Sequence, residues 1–238
     1  MKKTIGIIGG MGPLATCDLF RKIIDVTDAG CDQEHIRVCI DNNTEIPDRT
    51  AAILHGGADP VEQMVLSAKG LCAMGADVLI MPCNTAHYFY ERVSEAVSIP
   101  FLHMIEETAA AIKAKGIRRV GLLATDGTVQ SGVYAKAFEK AGISMMVPSA
   151  QGQKAVMGLI YEGVKAGNYR YNLDDFYAAM DALLDSGAET LVLGCTELPV
   201  AFDMFGIERP HIDPTKVLAA AAVKFVGGKL KDSEHGWN

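Results

Sequence analysis

The chain has 238 residues, room for one large domain or two small ones, and it is 49% apolar and 21% charged, which supplies a core and excludes a disordered polymer. Its 22 basic and 29 acidic side chains leave a net charge of −7, with no basic stripe of the kind that phosphate neutralisation demands of a nucleic-acid binder. No apolar run approaches the roughly 18 residues that a membrane-spanning helix needs.

The chain opens on a basic stretch followed by Ile5-Gly6-Ile7-Ile8, which breaks on glycines and is too short for the apolar segment of a signal peptide. A cytosolic location is therefore expected, with Cys17, Cys31, Cys39, Cys72, Cys83 and Cys195 as reduced thiols. None forms a C-x-x-C pair, which argues against structural zinc and thioredoxin-like chemistry. Continuous apolar or β-branched runs predict strands at residues 4–8, 36–40, 78–81, 119–124, 144–147 and 190–193, buried on both faces as in a parallel sheet. Helical spacing is found at residues 60–74, 104–115 and 173–186. In the last of these, Leu173, Phe176, Met180, Leu183 and Leu184 make one apolar stripe. Gly116 and Gly187 stand where such helices should end. A final helix is expected over residues 214–226 and a polar, frayed tail over 231–238. Strand–helix alternation of this kind predicts an α/β fold with right-handed crossovers.

An internal repeat organises these elements. Gly75-Ala76-Asp77-Val78-Leu79-Ile80-Met81-Pro82-Cys83 parallels Gly187-Ala188-Glu189-Thr190-Leu191-Val192-Leu193-Gly194-Cys195. Upstream, Ile5-Gly6-Ile7-Ile8 parallels Val120-Gly121-Leu122-Leu123; 77 residues separate Gly6 from Cys83 and 74 separate Gly121 from Cys195. Downstream, Pro100 and Pro210 occupy matching places, as do His103 and Asp213. Two pseudosymmetric lobes are thus expected, each a mostly parallel sheet flanked by helices, facing each other across a cleft. One takes residues 1–99 with the returning segment 209–238, the other residues 100–208.

The two repeat cysteines end buried strands and precede helix starts, where open α/β sheets build their sites. Helix N-terminal amides lower the pKa of a nearby thiol, and a thiol near ~8.5 needs only a modest shift to serve as a base. Packing accounts for most single cysteines, and it is the reading given to Cys17, Cys39 and Cys72, with Cys31 in a polar loop. Cys83 and Cys195, at equivalent positions, fit a thiolate and a thiol on opposite walls of one cleft, which together invert a stereocentre. A reversible disulfide between them is the competing reading.

Met81-Pro82-Cys83-Asn84-Thr85-Ala86-His87 and Leu193-Gly194-Cys195-Thr196-Glu197-Leu198-Pro199 resemble the two signature stretches of the aspartate/glutamate racemase family. Gly9-Gly10-Met11-Gly12-Pro13 and Ile46-Pro47-Asp48-Arg49-Thr50 point to its aspartate racemase branch. The resemblance runs from about Lys3 to Val226. It implies a cofactor-independent isomerase, commonly a homodimer, that acts on a small acidic amino acid. On that basis Cys83 and Cys195 would be the acid/base pair. Asn84, Thr85 and Thr196 would hold the α-carboxylate and ammonium, and Met11 would line the cleft. Thr125 fits a further carboxylate contact or a plain N-cap. The substrate's other carboxylate would go to Arg49, whose planar fork suits it, and to Lys165; apart from the resemblance, both would read as solvated surface charges. Asn42-Asn43-Thr44-Glu45 lies where family members vary, so aspartate versus glutamate stays open.

His87, four residues after Cys83, is placed to orient or polarise that thiol, His103 reads as a core residue, and Asp213 as a candidate layer behind the site. His35, His55, His211 and His235 share no ligand spacing, and no metal is expected. Gly10-Met11-Gly12-Pro13-Leu14-Ala15 formally satisfies a dinucleotide fingerprint. Pro13 removes an amide from that cradle, however, and no acid closes a second strand about 20 residues on. Glutamate racemase, hydantoin racemase and maleate isomerase chemistries are the nearer alternatives, and a non-catalytic dicarboxylate-binding protein is the alternative from another class.

Overall fold

The computed structural model describes residues 3–231, so His235 and the tail beyond Lys231 lie outside the described residues. In chain order the elements are β1 (Ile5–Gly9), α1 (Pro13–Val26), β2 (Val38–Asn42), α2 (Arg49–Leu54), α3 (Val61–Ala73), β3 (Val78–Ile80), α4 (Tyr90–Ser94) and α5 (Met104–Ala114). There follow β4 (Arg119–Leu123), α6 (Asp126–Ser131), α7 (Val133–Ala141), β5 (Ser144–Met146), α8 (Ala150–Gly158), α9 (Asp174–Asp185), β6 (Thr190–Leu193), α10 (Glu197–Phe205), β7 (His211–Ile212) and α11 (Pro214–Phe225). A five-residue 3-10 helix, Thr85–Phe89, and a π-helical turn, Leu159–Val164, complete the parts that bear on the site. Among the described residues no helix is long and apolar enough to cross a membrane.

The strands form two sheets, ordered β2-β1-β3 and β5-β4-β6-β7, and every pair is parallel. A parallel sheet must be covered on both faces, which explains the unbroken apolar runs. On the first sheet, Met64, Ala68 and Leu71 of α3 pack against Ile8 and Leu79. Its other face, Ile5, Ile7, Val78 and Ile80, meets Leu19 and Ile23 of α1 and Leu218, Ala219 and Val223 of α11. The final helix therefore returns to the first lobe's core. On the second sheet, Leu191 and Leu193 meet α9 and α10 through Phe176, Leu183 and Phe202, while Val120, Leu122 and Val192 meet Ile112 of α5 and Phe138 of α7.

The repeat in the sequence is a repeat of contacts. A Cβ at Gly6 of β1 would lie 2.9 Å from Leu79 and 3.3 Å from Leu71; at Gly121 of β4 it would lie 3.0 Å from Leu191 and from Leu183. Each glycine lets one helix, α3 or α9, sit close on its sheet. The acid of each Gly-Ala-acid motif receives the backbone of the neighbouring strand: Thr4 N–H donates to Asp77 at 2.7 Å, and Arg119 N–H donates to Glu189 at 2.9 Å. The prolines carry the third match, since Leu79 N–H donates to Pro100 O and Leu191 N–H donates to Pro210 O. Beyond Pro210 the chain forms β7; beyond Pro100 it makes one parallel bridge, Leu79 with Phe101. Each sheet thus takes its last position a few residues past the lobe limits expected at 99 and 208. The sequence pattern did not announce β7, because two residues carry no period. Gly116 and Gly187 do close α5 and α9, at φ +73° and +98°, a region closed to most side chains.

Candidate active site

The loops that leave the carboxyl ends of β1, β3, β4 and β6 converge between the two sheets. They deliver Met11, then Cys83, Asn84 and Thr85, then Thr125, and finally Cys195, Thr196 and Glu197 to one small cavity of about 20 Å³. Arg49 enters from the first turn of α2 and Lys165 from just beyond the π-helical turn. All nine residues singled out in the sequence line this cavity, together with Asp48, Thr50, Tyr161 and Glu197, which were not. All six cysteines are free thiols.

The two cysteines stand in opposite electrostatic surroundings. Cys195 is buried, its thiol donates to Glu197 Oε2 at 3.0 Å, and burial followed by that carboxylate holds it well above the ordinary thiol range. The backbone N–H of Glu197 and the charge of Lys165 work the other way and do not prevail. Cys83, also buried, sits beside the Arg49 guanidinium. Burial opposes the charge of Arg49, but Cys83 and Asp48 raise its proton affinity above the arginine norm.

Arg49 is only 9% exposed, which overturns the solvated reading. Its guanidinium donates to the carbonyls of Ile46 at 3.1 Å, Pro47 at 2.8 Å and Met11 at 3.3 Å, while Nε has no hydrogen-bond partner among the described residues. Asp48, the preceding turn residue, caps α2 by accepting Ala51 N–H at 2.7 Å. Lys165 forms a 2.8 Å ion pair with Glu197 Oε1, and its Nζ lies 5.7 Å from the centre of the Tyr161 ring. Burial disfavours the Lys165 ammonium, yet Glu197 lifts its pKa overall.

Asn84 is fixed from behind. Its Oδ1 accepts the buried Tyr134 hydroxyl at 2.6 Å, leaving the buried Nδ2 without a partner. The hydroxyls of Thr85, Thr125 and Thr128 form a triangle with sides of 2.8–3.0 Å that crosses from one lobe to the other. Thr125 also caps α6, accepting Thr128 N–H at 3.3 Å, so its capping role and its place in the cavity coexist. Thr196 Oγ1 donates to Pro82 O at 3.3 Å, a second stitch between the two repeat stretches.

Three expectations need correcting. His87 does not face the Cys83 thiol. It is enclosed, accepts Met104 N–H on Nε2 at 3.1 Å, and its Nδ1 lies 2.8 Å from Cys83 O, so it braces the backbone that carries the cysteine. Burial drives its pKa down to about 3, so the ring is neutral and Nδ1 is the donor. Cys17 is exposed on the outer side of α1 rather than packed, while Cys39 is buried and Cys72 half-buried. His103 serves as N-cap of α5, accepting Glu106 N–H at 3.3 Å, and its repeat partner Asp213 caps α11, accepting Thr215 N–H at 2.8 Å. The charge of Asp213 acts on Tyr134, whose hydroxyl holds Asn84.

Glu197 is the main residue that sequence reasoning missed. Its signal was present: an acid two residues after Cys195, at the first position of α10. Tyr161 lay in the stretch that carries Lys165.

Comparison with known proteins places the geometry. A family model described as Asp/Glu/Hydantoin racemase matches residues 8–222. The chain is 30% identical over 226 residues to a broad specificity amino-acid racemase of Bacillus subtilis, covering 92% of this chain and 96% of that protein. It is 31% identical over 158 residues to a glutamate racemase of Desulforudis audaxviator, of whose length the match spans 57%. Among solved structures, an aspartate racemase of Picrophilus torridus superposes with a TM-score of 0.86 at 35% identity, covering 96% of each chain.

Proposed function

From the premise that the chain belongs to the Asp/Glu/hydantoin racemase family and is an isomerase, we propose that it interconverts L- and D-aspartate, with Cys83 and Cys195 as the two acid/base groups. The observation that carries the reading is that the two repeat cysteines line one cavity together with Arg49 Nε and Asn84 Nδ2, buried donors that have no hydrogen-bond partner among the described residues. Unsatisfied buried donors are costly, and a carboxylate is the group that relieves them.

In one direction the Cys83 thiolate takes the α-proton, forming S–H as C–H breaks. The Cys195 thiol then gives its proton to the opposite face of the same carbon, and the roles exchange for the other enantiomer. Asn84 Nδ2, with Thr85, Thr125 and Thr196, receives the α-carboxylate and steadies the enolate-like charge that develops there. Arg49 and Lys165 receive the side-chain carboxylate. A homodimeric assembly, part of the same reading, is checked by light scattering.

Each enantiomer of aspartate and glutamate incubated in D2O, with α-deuteration and optical rotation followed, tests the proposal. Aspartate should exchange and racemise, and Cys83→Ala or Cys195→Ala should abolish interconversion. Binding without exchange would make the chain a dicarboxylate-binding protein instead. The Bacillus subtilis relative's broad specificity supports a second reading in which glutamate also turns over, since one methylene gives a hydrophobic wall little to discriminate.

A further inference from the structure

The repeat is broken at one charged position inside the cavity. Cys83-Asn84-Thr85 corresponds to Cys195-Thr196-Glu197, so the first lobe has a threonine where the second has a carboxylate. That carboxylate is 4% exposed and held by Cys195 Sγ at 3.0 Å, Lys165 Nζ at 2.8 Å and, more weakly, the Thr196 hydroxyl at 3.5 Å. Across the cavity, the cation Arg49 stands beside Cys83. Two sulfurs that the fold makes equivalent are thus made unequal by their neighbours.

We propose that Glu197 is a positioning residue: with Lys165 as its counter-ion it holds Cys195 as the thiol. The resting enzyme then carries its proton donor on the second lobe. The use of that arrangement rests on the racemase reading above. Glu197 acts through Cys195 and Lys165. The groups facing Cys195 are Glu197 on α10, Lys165 after the π-helical turn, Tyr161 within that turn and Tyr134 on α7. Those facing Glu197 are Lys165, Cys195, the Thr196 hydroxyl, Arg49 on α2 and the start of α1 at Gly12. Removing the carboxylate leaves burial alone to oppose the lysine and the Glu197 backbone N–H, both of which favour thiolate. Removing the lysine instead leaves the carboxylate in command. When Cys195 gives its proton to substrate, its S–H bond breaks and a thiolate is left 3.0 Å from an anion, which favours reprotonation and return to the resting form.

The test reads thiolate directly and needs no racemase activity. Full-length wild type, Glu197→Gln, Glu197→Asp and Lys165→Met are pulsed with iodoacetamide near about pH 8, where an ordinary thiol is partly ionised. Alkylation of the Cys195 and Cys83 peptides is then quantified by mass spectrometry, with Cys83 as the internal reference. Relative alkylation of Cys195 should rise about tenfold or more in Glu197→Gln, rise less in Glu197→Asp, and fall in Lys165→Met. A rise in both Glu197→Gln and Lys165→Met would mean loosened walls and would overturn the proposal. So would a change below about twofold in Glu197→Gln. Should Glu197→Gln fail to fold, opposite shifts in Glu197→Asp and Lys165→Met support the proposal in its place, and like shifts overturn it. Failure here leaves the aspartate exchange assay untouched, and failure of that assay leaves the thiol result standing.

Discussion

Tyr134→Phe removes one oxygen and little else. The hydroxyl is fully enclosed and donates at 2.6 Å to Asn84 Oδ1, so the phenylalanine leaves a buried carbonyl oxygen without its donor. Such an orphan costs about 1–3 kcal/mol, and in a chain of this length each kcal/mol moves Tm by about 2–4 °C. A fall of about 4–8 °C, measured by calorimetry, is the central expectation. Catalysis should suffer as well. Asn84 Nδ2 is aimed because Oδ1 is held, and on the proposed reading freeing the amide to turn withdraws a donor from the α-carboxylate. A loss equivalent to one such hydrogen bond is about 10–100-fold in kcat/KM for aspartate, followed by polarimetry. If Tm stays within about 1 °C and kcat/KM within about twofold of wild type, Asn84 is held by something other than Tyr134 and the reasoning fails.

Two further perturbations test the layer behind the site. The pKa of His87 lies near 3 in the folded chain against ~6.5 unfolded, so its contribution is complete above pH 6.5 and is lost as pH falls toward 3, up to about 5 kcal/mol. His87→Gln should flatten the acid limb of a stability–pH curve from chemical denaturation; an unchanged limb would show that other groups govern it. Lys22 is buried between Asp18 and Asp213, with both contacts at 2.5 Å. Burial opposes its charge, but the two carboxylates raise its pKa, so its stabilisation holds below the ordinary lysine range near ~10.4 and is lost only at higher pH. Lys22→Met takes the counter-ion from Asp213 and leaves Asp18 only its pair with Arg21, and should cost about 3–5 kcal/mol in urea unfolding at neutral pH; a cost under about 1 kcal/mol would refute the assignment.

Two kinds of information decided what the sequence disclosed. Most of what the fold repeats was legible. The parallel strands, the Gly6 and Gly121 approaches and the Asp77 and Glu189 brackets each occur twice, so chance could be set aside from the sequence alone. The sites of Cys83 and Cys195 followed, because a repeated strand end is a repeated place for a side chain. Arg49 and Lys165 have no counterpart in the repeat, and only the family resemblance drew them in. Tyr134 was out of reach for a different reason. Its hydroxyl meets Asn84 across 50 positions of chain, and an aromatic on an amphipathic helix reads as core until its oxygen is located.

The same distinction bears on how such a site can work. A perfect twofold would give both sulfurs one environment and no reason for the proton to sit on either. Chemistry that takes a proton from one face and returns one to the other needs the two thiols in different states at the outset. The cavity supplies that difference through residues that break the symmetry: Arg49 beside Cys83, Glu197 beside Cys195, and Lys165 bound to the latter. His87 contributes nothing to the imbalance, since a neutral ring on a backbone carbonyl carries no charge to either sulfur. The duplicated scaffold therefore accounts for where the two sulfurs are, and on the proposal above the unduplicated charges decide which of them holds the proton.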